Sequence, residues 1–323
     1  MKTIILTLLF ILAAPLVSAE YSRTYIESHP LQTVAVNGID MAYRVVGEDP
    51  DRPKVVIIMG LGGSNVVWGD TLVKGLVEGG YELLMFDNRD VGGSTRFDDW
   101  GQPTLWLQLI KQKLGLPVNA PYTLSDMAAD TVALMDRLGY QDAHIIGTSM
   151  GGMIAQTVAI EHGHSVKSLT SIMSVPGDLA YGTPADEALA ALLAPPPSDR
   201  AAYIESAANW AVWCSKKHFD LADAKQRAAR EYDRSFYPEG SHRQLAAIYS
   251  SGDRSDALRN LTVPTLVIHG RDDTLLTPSG GERTAELIPA STFMFISDMG
   301  HDCPRPLWPV FVDAISAHAH RHN

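Results

Sequence analysis

Cysteine is scarce: Cys214 and Cys303 are the only two in 323 residues. That excludes a disulfide-stapled scaffold, and a chain of this length buries enough core to need none. Neither cysteine has a spacing that signals a bond or a metal, so two free thiols are expected. Positive charge is also in deficit, with 26 Lys and Arg against 37 Asp and Glu and a formal net charge of −11. No basic run interrupts that acidity, which argues against nucleic acid as a partner. After the first twenty residues no apolar run is long enough to span a bilayer, and there is no internal repeat.

The one long apolar stretch is at the start, in MKTIILTLLFILAAPLVSAE. A lysine, an apolar run from Ile4 to Val17, and small residues at Val17 and Ala19 have the layout of a secretory signal peptide. Residues 1–19 are therefore read as a signal cleaved after Ala19, which leaves a mature chain from Glu20 that is exported to the periplasm or beyond. The competing reading is an uncleaved anchor. No cysteine follows the cut, so a lipid-anchored form is not expected.

What remains is a globular composition with 46% apolar residues. LQTVAVNGIDMAYRVV alternates apolar and polar residues around Asn37-Gly38 and predicts an antiparallel hairpin. Six short apolar runs follow, at 54–60, 81–87, 143–147, 168–174, 265–270 and 292–297. Continuous runs of this kind fit strands buried on both faces of a parallel sheet. Helical patterns at 67–78, 125–138, 150–161 and 280–288 lie between most of them, and Thr123 with Asp126 resembles a helix start. This alternation predicts an α/β class with a mostly parallel, doubly wound sheet.

Two stretches break the alternation. Residues from Val175 to about Thr262 hold no convincing strand and predict a helical cap inserted into the domain, so that 20–175 and 251–323 form the core and 176–250 the cap. The other is WGQPTLWLQLIKQKLGLPV, where Leu105, Trp106, Leu109 and Ile110 predict one apolar helical face packed on the domain. Its sharper alternative is an entrance for greasy substrates.

The chemistry centres on Gly147-Thr148-Ser149-Met150-Gly151, a G-x-S-x-G between a strand and a helix. A sharp turn there pushes the serine hydroxyl out above the sheet, whereas an ordinary serine cap would not require a glycine on each side. A nucleophilic serine needs a base and a group that orients the base. HGRDDTLLTP offers Asp272 and Asp273, and DMGHD offers His301, in the chain order Ser, Asp, His expected on such a sheet. The other ten histidines offer no comparable setting: His269 ends a strand, most look like surface positions, and the tail HAHRH reads as a frayed terminus. Backbone N–H groups of Met150 and of Leu61, in the MGLGG turn, are the candidate oxyanion donors.

Taken together, IIMGLGG, FDNRDVGGST, GTSMGG and the pair HGRDDTLLTP and DMGHD resemble the α/β-hydrolase superfamily over nearly the whole mature chain. Within that superfamily, the chain resembles the small esterases typified by aclacinomycin methylesterase. This resemblance implies an α/β-hydrolase fold with Ser149 as nucleophile, Asp273 rather than Asp272 as acid, and His301 as base. Asp87, Arg89 and Ser94 match the family's D-x-R-x-x-G-x-S turn, for which a structural role is expected. Two departures stand out: Met59-Gly60 replaces a common His-Gly, and Asp90 replaces a common glycine. The serine excludes epoxide hydrolases and haloalkane dehalogenases, which use aspartate. GTSMG also differs from the G-G-S-W-G of proline iminopeptidases.

The expectation is a cofactor- and metal-independent serine hydrolase that cleaves a small, hydrophobic carboxylic ester through an acyl-enzyme. Activity should fall in acid as His301 becomes protonated. Lactones, thioesters, amides, C–C bonds and perhydrolysis are alternatives on the same triad. The reading from another class is a non-catalytic ligand-binding protein on a hydrolase scaffold.

Overall fold

The computed structural model describes residues 24–323. The signal reading on 1–19 lies outside them.

The eight strands are β1 (Gln32–Val36), β2 (Ile39–Val46), β3 (Lys54–Ile58), β4 (Glu82–Phe86), β5 (Ala143–Thr148), β6 (Val166–Ile172), β7 (Thr265–Gly270) and β8 (Ser291–Ile296). They form one sheet in the order β1-β2-β4-β3-β5-β6-β7-β8. β1 and β2 are antiparallel and so are β2 and β4, while every later pairing is parallel. The hairpin closes at Val36↔Ile39. Asn37 (φ 47°) and Gly38 (φ 78°) both take positive φ, the requirement of a two-residue turn matched to strand twist.

The helices are α1 (Tyr25–Ser28), α2 (Asp70–Glu78), α3 (Leu105–Lys113), α4 (Leu124–Arg137), α5 (Met150–Glu161), α6 (Asp186–Leu192), α7 (Arg200–Ser206), α8 (Leu221–Ser235), α9 (Pro238–Ser251), α10 (Ser255–Arg259), α11 (Ser279–Leu287) and α12 (Trp308–His320). Thr123 caps α4 in a reciprocal box with Asp126. Five helices, α6 to α10, stand between β6 and β7, and α6 to α9 contribute walls to the cavity onto which Ser149, at the C-terminal end of β5, opens.

β3 shows why its sequence is apolar throughout. Val56 and Ile58 pack with α4 and α5, whereas Val55 and Ile57 pack with α2 and α12. A strand covered on both faces has no polar face to show. β8 is different: it is the sheet edge and is only partly covered, with Phe295 46% exposed.

Two expectations are corrected. The apolar face of α3 is only partly packed on the domain: Leu105 and Leu109 are half-buried, Trp106 and Ile110 are exposed, and the fully buried side chain is Gln108, which accepts from Asn119 N. The C-terminal tail is not frayed: α12 runs to His320, His318 is buried against the Pro264 carbonyl, and Asn323 bonds His144. Of the other ten histidines, His144, His269 and His318 are buried, whereas the remaining seven reach the surface in whole or in part, as expected.

Candidate active site

Ser149 is the hinge between β5 and α5, with φ 56° and ψ −121°, a region costly for a side-chain-bearing residue. The glycines make this turn possible. A Cβ on Gly147 would overlap the Gly151 carbonyl, and one on Gly151 would overlap the Ile58 carbonyl of β3. A Cβ on Gly152 would come within 2.6 Å of Ser174. The backbone of Ser149 is held at both ends, by Ser149 N donating to Ile172 O (2.9 Å) and Ser174 Oγ donating to Ser149 O (2.9 Å). Its side chain does not cap α5. The hydroxyl turns instead to His301, with Oγ 2.9 Å from Nε2.

His301 lies in the loop after β8. Its Nδ1 is 2.7 Å from Asp273 Oδ2. Asp273 follows β7 and is buried, and its other oxygen accepts from Leu275 N and Leu276 N, both at 2.9 Å. Burial alone would push the Asp273 carboxyl up. The charges and hydrogen bonds of His301 and His269 outweigh that and hold it below its ordinary value. Asp272 is excluded from this line, as its side chain meets Arg271 while its N–H donates to Met299 O. The structure thus brings Ser149, His301 and Asp273 together in one relay.

His269 is a contributor that the sequence did not expose. Its Nε2 is 2.8 Å from Leu276 O and 3.3 Å from Asp273 Oδ2, so it braces the acid and its turn from behind. In the sequence it read only as the end of a strand.

The oxyanion candidates flank the serine. A Cβ on Gly60 would lie 3.1 Å from Ser149 Cβ, so Leu61 begins the turn on that side. The turn is pinned by Asn88 Nδ2 to Met59 O (3.0 Å) and by Gly62 N to Gln244 Oε1 of α9 (2.8 Å). Met150 is the first residue of α5, where a backbone N–H has no partner within its helix.

The FDNRDVGGST turn is a charged joint. Asp87 accepts from Asn65 N and Gly93 N and pairs with Arg234 of α8 at 2.7 Å. Arg89 forms a two-point pair with Asp130, each contact 2.6 Å. Ser94 Oγ donates to Asp87 O and accepts from Ala42 N. Asp90 has φ 67°, which is why glycine suits this position. Its carboxylate takes Arg243 of α9 on both oxygens (2.9 and 2.8 Å), together with Tyr122 Oη and Phe97 N.

A segment between β6 and β7 is stitched to the loops that carry Asp273 and His301. His301 N donates to Trp213 O (2.6 Å), and Thr274 Oγ1, beside the acid, donates to Val212 O (2.6 Å). Ser215 Oγ donates to Asp298 O (2.6 Å) while Ser215 N donates to Asp302 Oδ1 (2.8 Å). Ser149 and His301 open into a cavity of about 1400 Å³, walled on the cap side by Tyr203, Trp210, Trp213, Phe219 and Tyr249. Both cysteines are free and also line it. Burial raises both thiols, Cys303 to about 12, so neither is a thiolate competing with the serine. Among the described residues no group of three or more His, Cys, Asp or Glu is arranged to hold a metal ion.

A model of the alpha/beta hydrolase fold matches residues 53–303. A putative carbamate hydrolase of Variovorax paradoxus is 27% identical over 257 residues, covering 78% of this chain and 85% of that protein. A rhodomycin D methylesterase of Streptomyces peucetius is 23% identical over 310 residues, covering 90% of this chain and 98% of that protein. Among solved structures, an esterase from Rhodococcus sp. superposes with a TM-score of 0.69 at 22% identity, over 90% of this chain and 98% of that one.

Proposed function

From the premise that the chain belongs to the α/β hydrolase fold family and is a hydrolytic enzyme, we propose that it cleaves carboxylic esters through Ser149, His301 and Asp273. The observation that carries this reading is the relay itself, 2.9 Å from serine to histidine and 2.7 Å from histidine to aspartate. His301 Nε2 takes the Ser149 proton as Oγ attacks the ester carbonyl, and the N–H groups of Leu61 and Met150 receive the oxyanion. His301 then returns the proton to the departing alcohol, leaving an acyl-Ser149. In the second half His301 deprotonates a water, which attacks the acyl carbon, and the proton goes back to Ser149 as the acid is released. Asp273, held ionised, orients the imidazole and stabilises its charged form.

The aromatic cap wall supports a hydrophobic acyl or alcohol group. The carbamate hydrolase among the relatives makes carbamates a second substrate class for the same steps. Lactones, thioesters, amides and C–C bonds follow as further alternatives. A panel of esters, carbamates, lactones and amides run beside Ser149→Ala tests the reading. Ester turnover should be fastest and should fall by at least about 10⁴-fold in the variant. Undiminished ester hydrolysis by folded Ser149→Ala would overturn it. Export remains part of the proposal, and the N-terminal residue of protein recovered outside the cytoplasm, expected to be Glu20, checks it.

A further inference from the structure

α3 buries Gln108 and leaves much of its apolar surface to solvent, unlike an ordinary surface helix. Trp106 is 61% exposed, Ile110 45% and Leu107 38%, and the following turn adds Leu114 at 67% and Leu116 at 51%. Residues 106, 110 and 114 are four apart and 107, 110 and 114 three or four apart, so they form one stripe. A contiguous apolar face of this kind on a water-facing helix calls for a partner.

We propose that this face docks the enzyme on an anionic lipid surface and that its substrate is a lipophilic ester drawn from that surface. Charge selects the occupant. In a chain with 37 acidic and 26 basic residues, no acid falls between Asp99 and Asp126, and Lys111 and Lys113 are the only charges in that interval. Basic side chains bordering an apolar face with an exposed tryptophan suit an interface of acidic headgroups over acyl chains. A second copy of the chain fits less well. Two such faces meeting about a two-fold axis would oppose lysines with no local acid to answer them. The docking is peripheral, because among the described residues no helix is long and apolar enough to cross a membrane.

The substrate class follows from continuity. Leu109, Gln112 and Lys113 of the same helix line the cavity that contains Ser149 and His301. One helix therefore presents one side to the lipid and another to the reaction chamber, and an ester leaving the bilayer enters without crossing bulk water. This second half rests on the esterase reading, whereas the docking itself does not.

The test is flotation of the purified full chain with vesicles of phosphatidylcholine alone or mixed with phosphatidylglycerol. Wild type and Ser149→Ala should float alike with the mixed vesicles, and added salt should weaken both. Trp106→Ser/Ile110→Ser, which shares the same N-terminus, should bind at least about tenfold more weakly. Lys111→Glu should lose the preference for phosphatidylglycerol. The double variant should melt as wild type and keep its turnover of a soluble short ester, while losing turnover of an ester embedded in vesicles. Flotation without any esterase activity would leave the docking standing and defeat the substrate half. Absence of flotation would overturn the docking, as would flotation undiminished by the double variant. So would a dimer that the double variant dissolves, with no vesicle binding.

Discussion

At Asp90 the backbone takes the left-handed conformation that glycine prefers, yet the carboxylate is the reason for the residue. It neutralises Arg243, which is almost wholly buried, and so ties the turn after β4 to α9. Removing it relieves backbone strain but leaves a buried guanidinium unpaired. Asp90→Gly is therefore expected to lose about 3–5 kcal/mol of stability, read from urea denaturation; wild-type stability would contradict the pairing account. Much at this scale was legible in the sequence. The G-x-S-x-G pattern located Ser149 because its glycines answer close backbone contacts that only a bare Cα satisfies. The charge of Asp90 was visible too, but its partner lies 153 positions away in the chain, and no local pattern reports such a pairing. His269 was hidden for a different reason: it stands four positions before Asp273, but the tight turn that sets it behind the carboxylate exists only after folding.

Among elements, the segment around Ser215 couples the helices over the sheet to the loop that carries His301. Ser215→Ala removes its bond to the Asp298 carbonyl and loosens the loop that carries His301. We expect kcat to fall about tenfold, KM to change little and Ser215→Thr to restore part of the loss; a change confined to KM would contradict this. The C-terminal helix has its own pH signature. Burial lowers His318 to about 4, whereas an exposed histidine titrates near 6.5. The unfolded chain therefore takes up the proton first, and the contribution of His318 to stability is complete above about 6.5 and lost as pH falls towards 4. His318→Gln should flatten the dependence of Tm on pH in that window, and an unchanged dependence would count against it. The helix itself was missed because its histidine-rich end resembles a solvated tail. α3 was misassigned because an amphipathic period shows that a helix has an apolar face, not what covers that face.

For the whole molecule, the alternation of apolar runs with helical periods disclosed the sheet, since a strand covered on both sides must be apolar throughout. The cavity was not legible, because its walls come from segments spread from Met59 to Trp308. Its size and aromatic cap wall predict that turnover of p-nitrophenyl esters rises from acetate to medium acyl chains, and a preference for acetate would contradict that. Asp273 sets an acid limit for the assembled fold. Its carboxyl is held below the ordinary range, so its stabilisation is present above the unfolded value and lost as pH falls through the lower, folded one. Asp273→Asn should therefore lose less Tm than wild type on acidification through the carboxylate range.

The central claim, that Ser149 is the nucleophile of an acyl-transfer relay, is tested most directly by fluorophosphonate labelling read by peptide mass spectrometry. One phosphonyl adduct per chain, on the Ser149 peptide, absent in Ser149→Ala and slowed strongly in His301→Ala, is the predicted result. No adduct on Ser149 in a folded protein that still hydrolyses esters would contradict it.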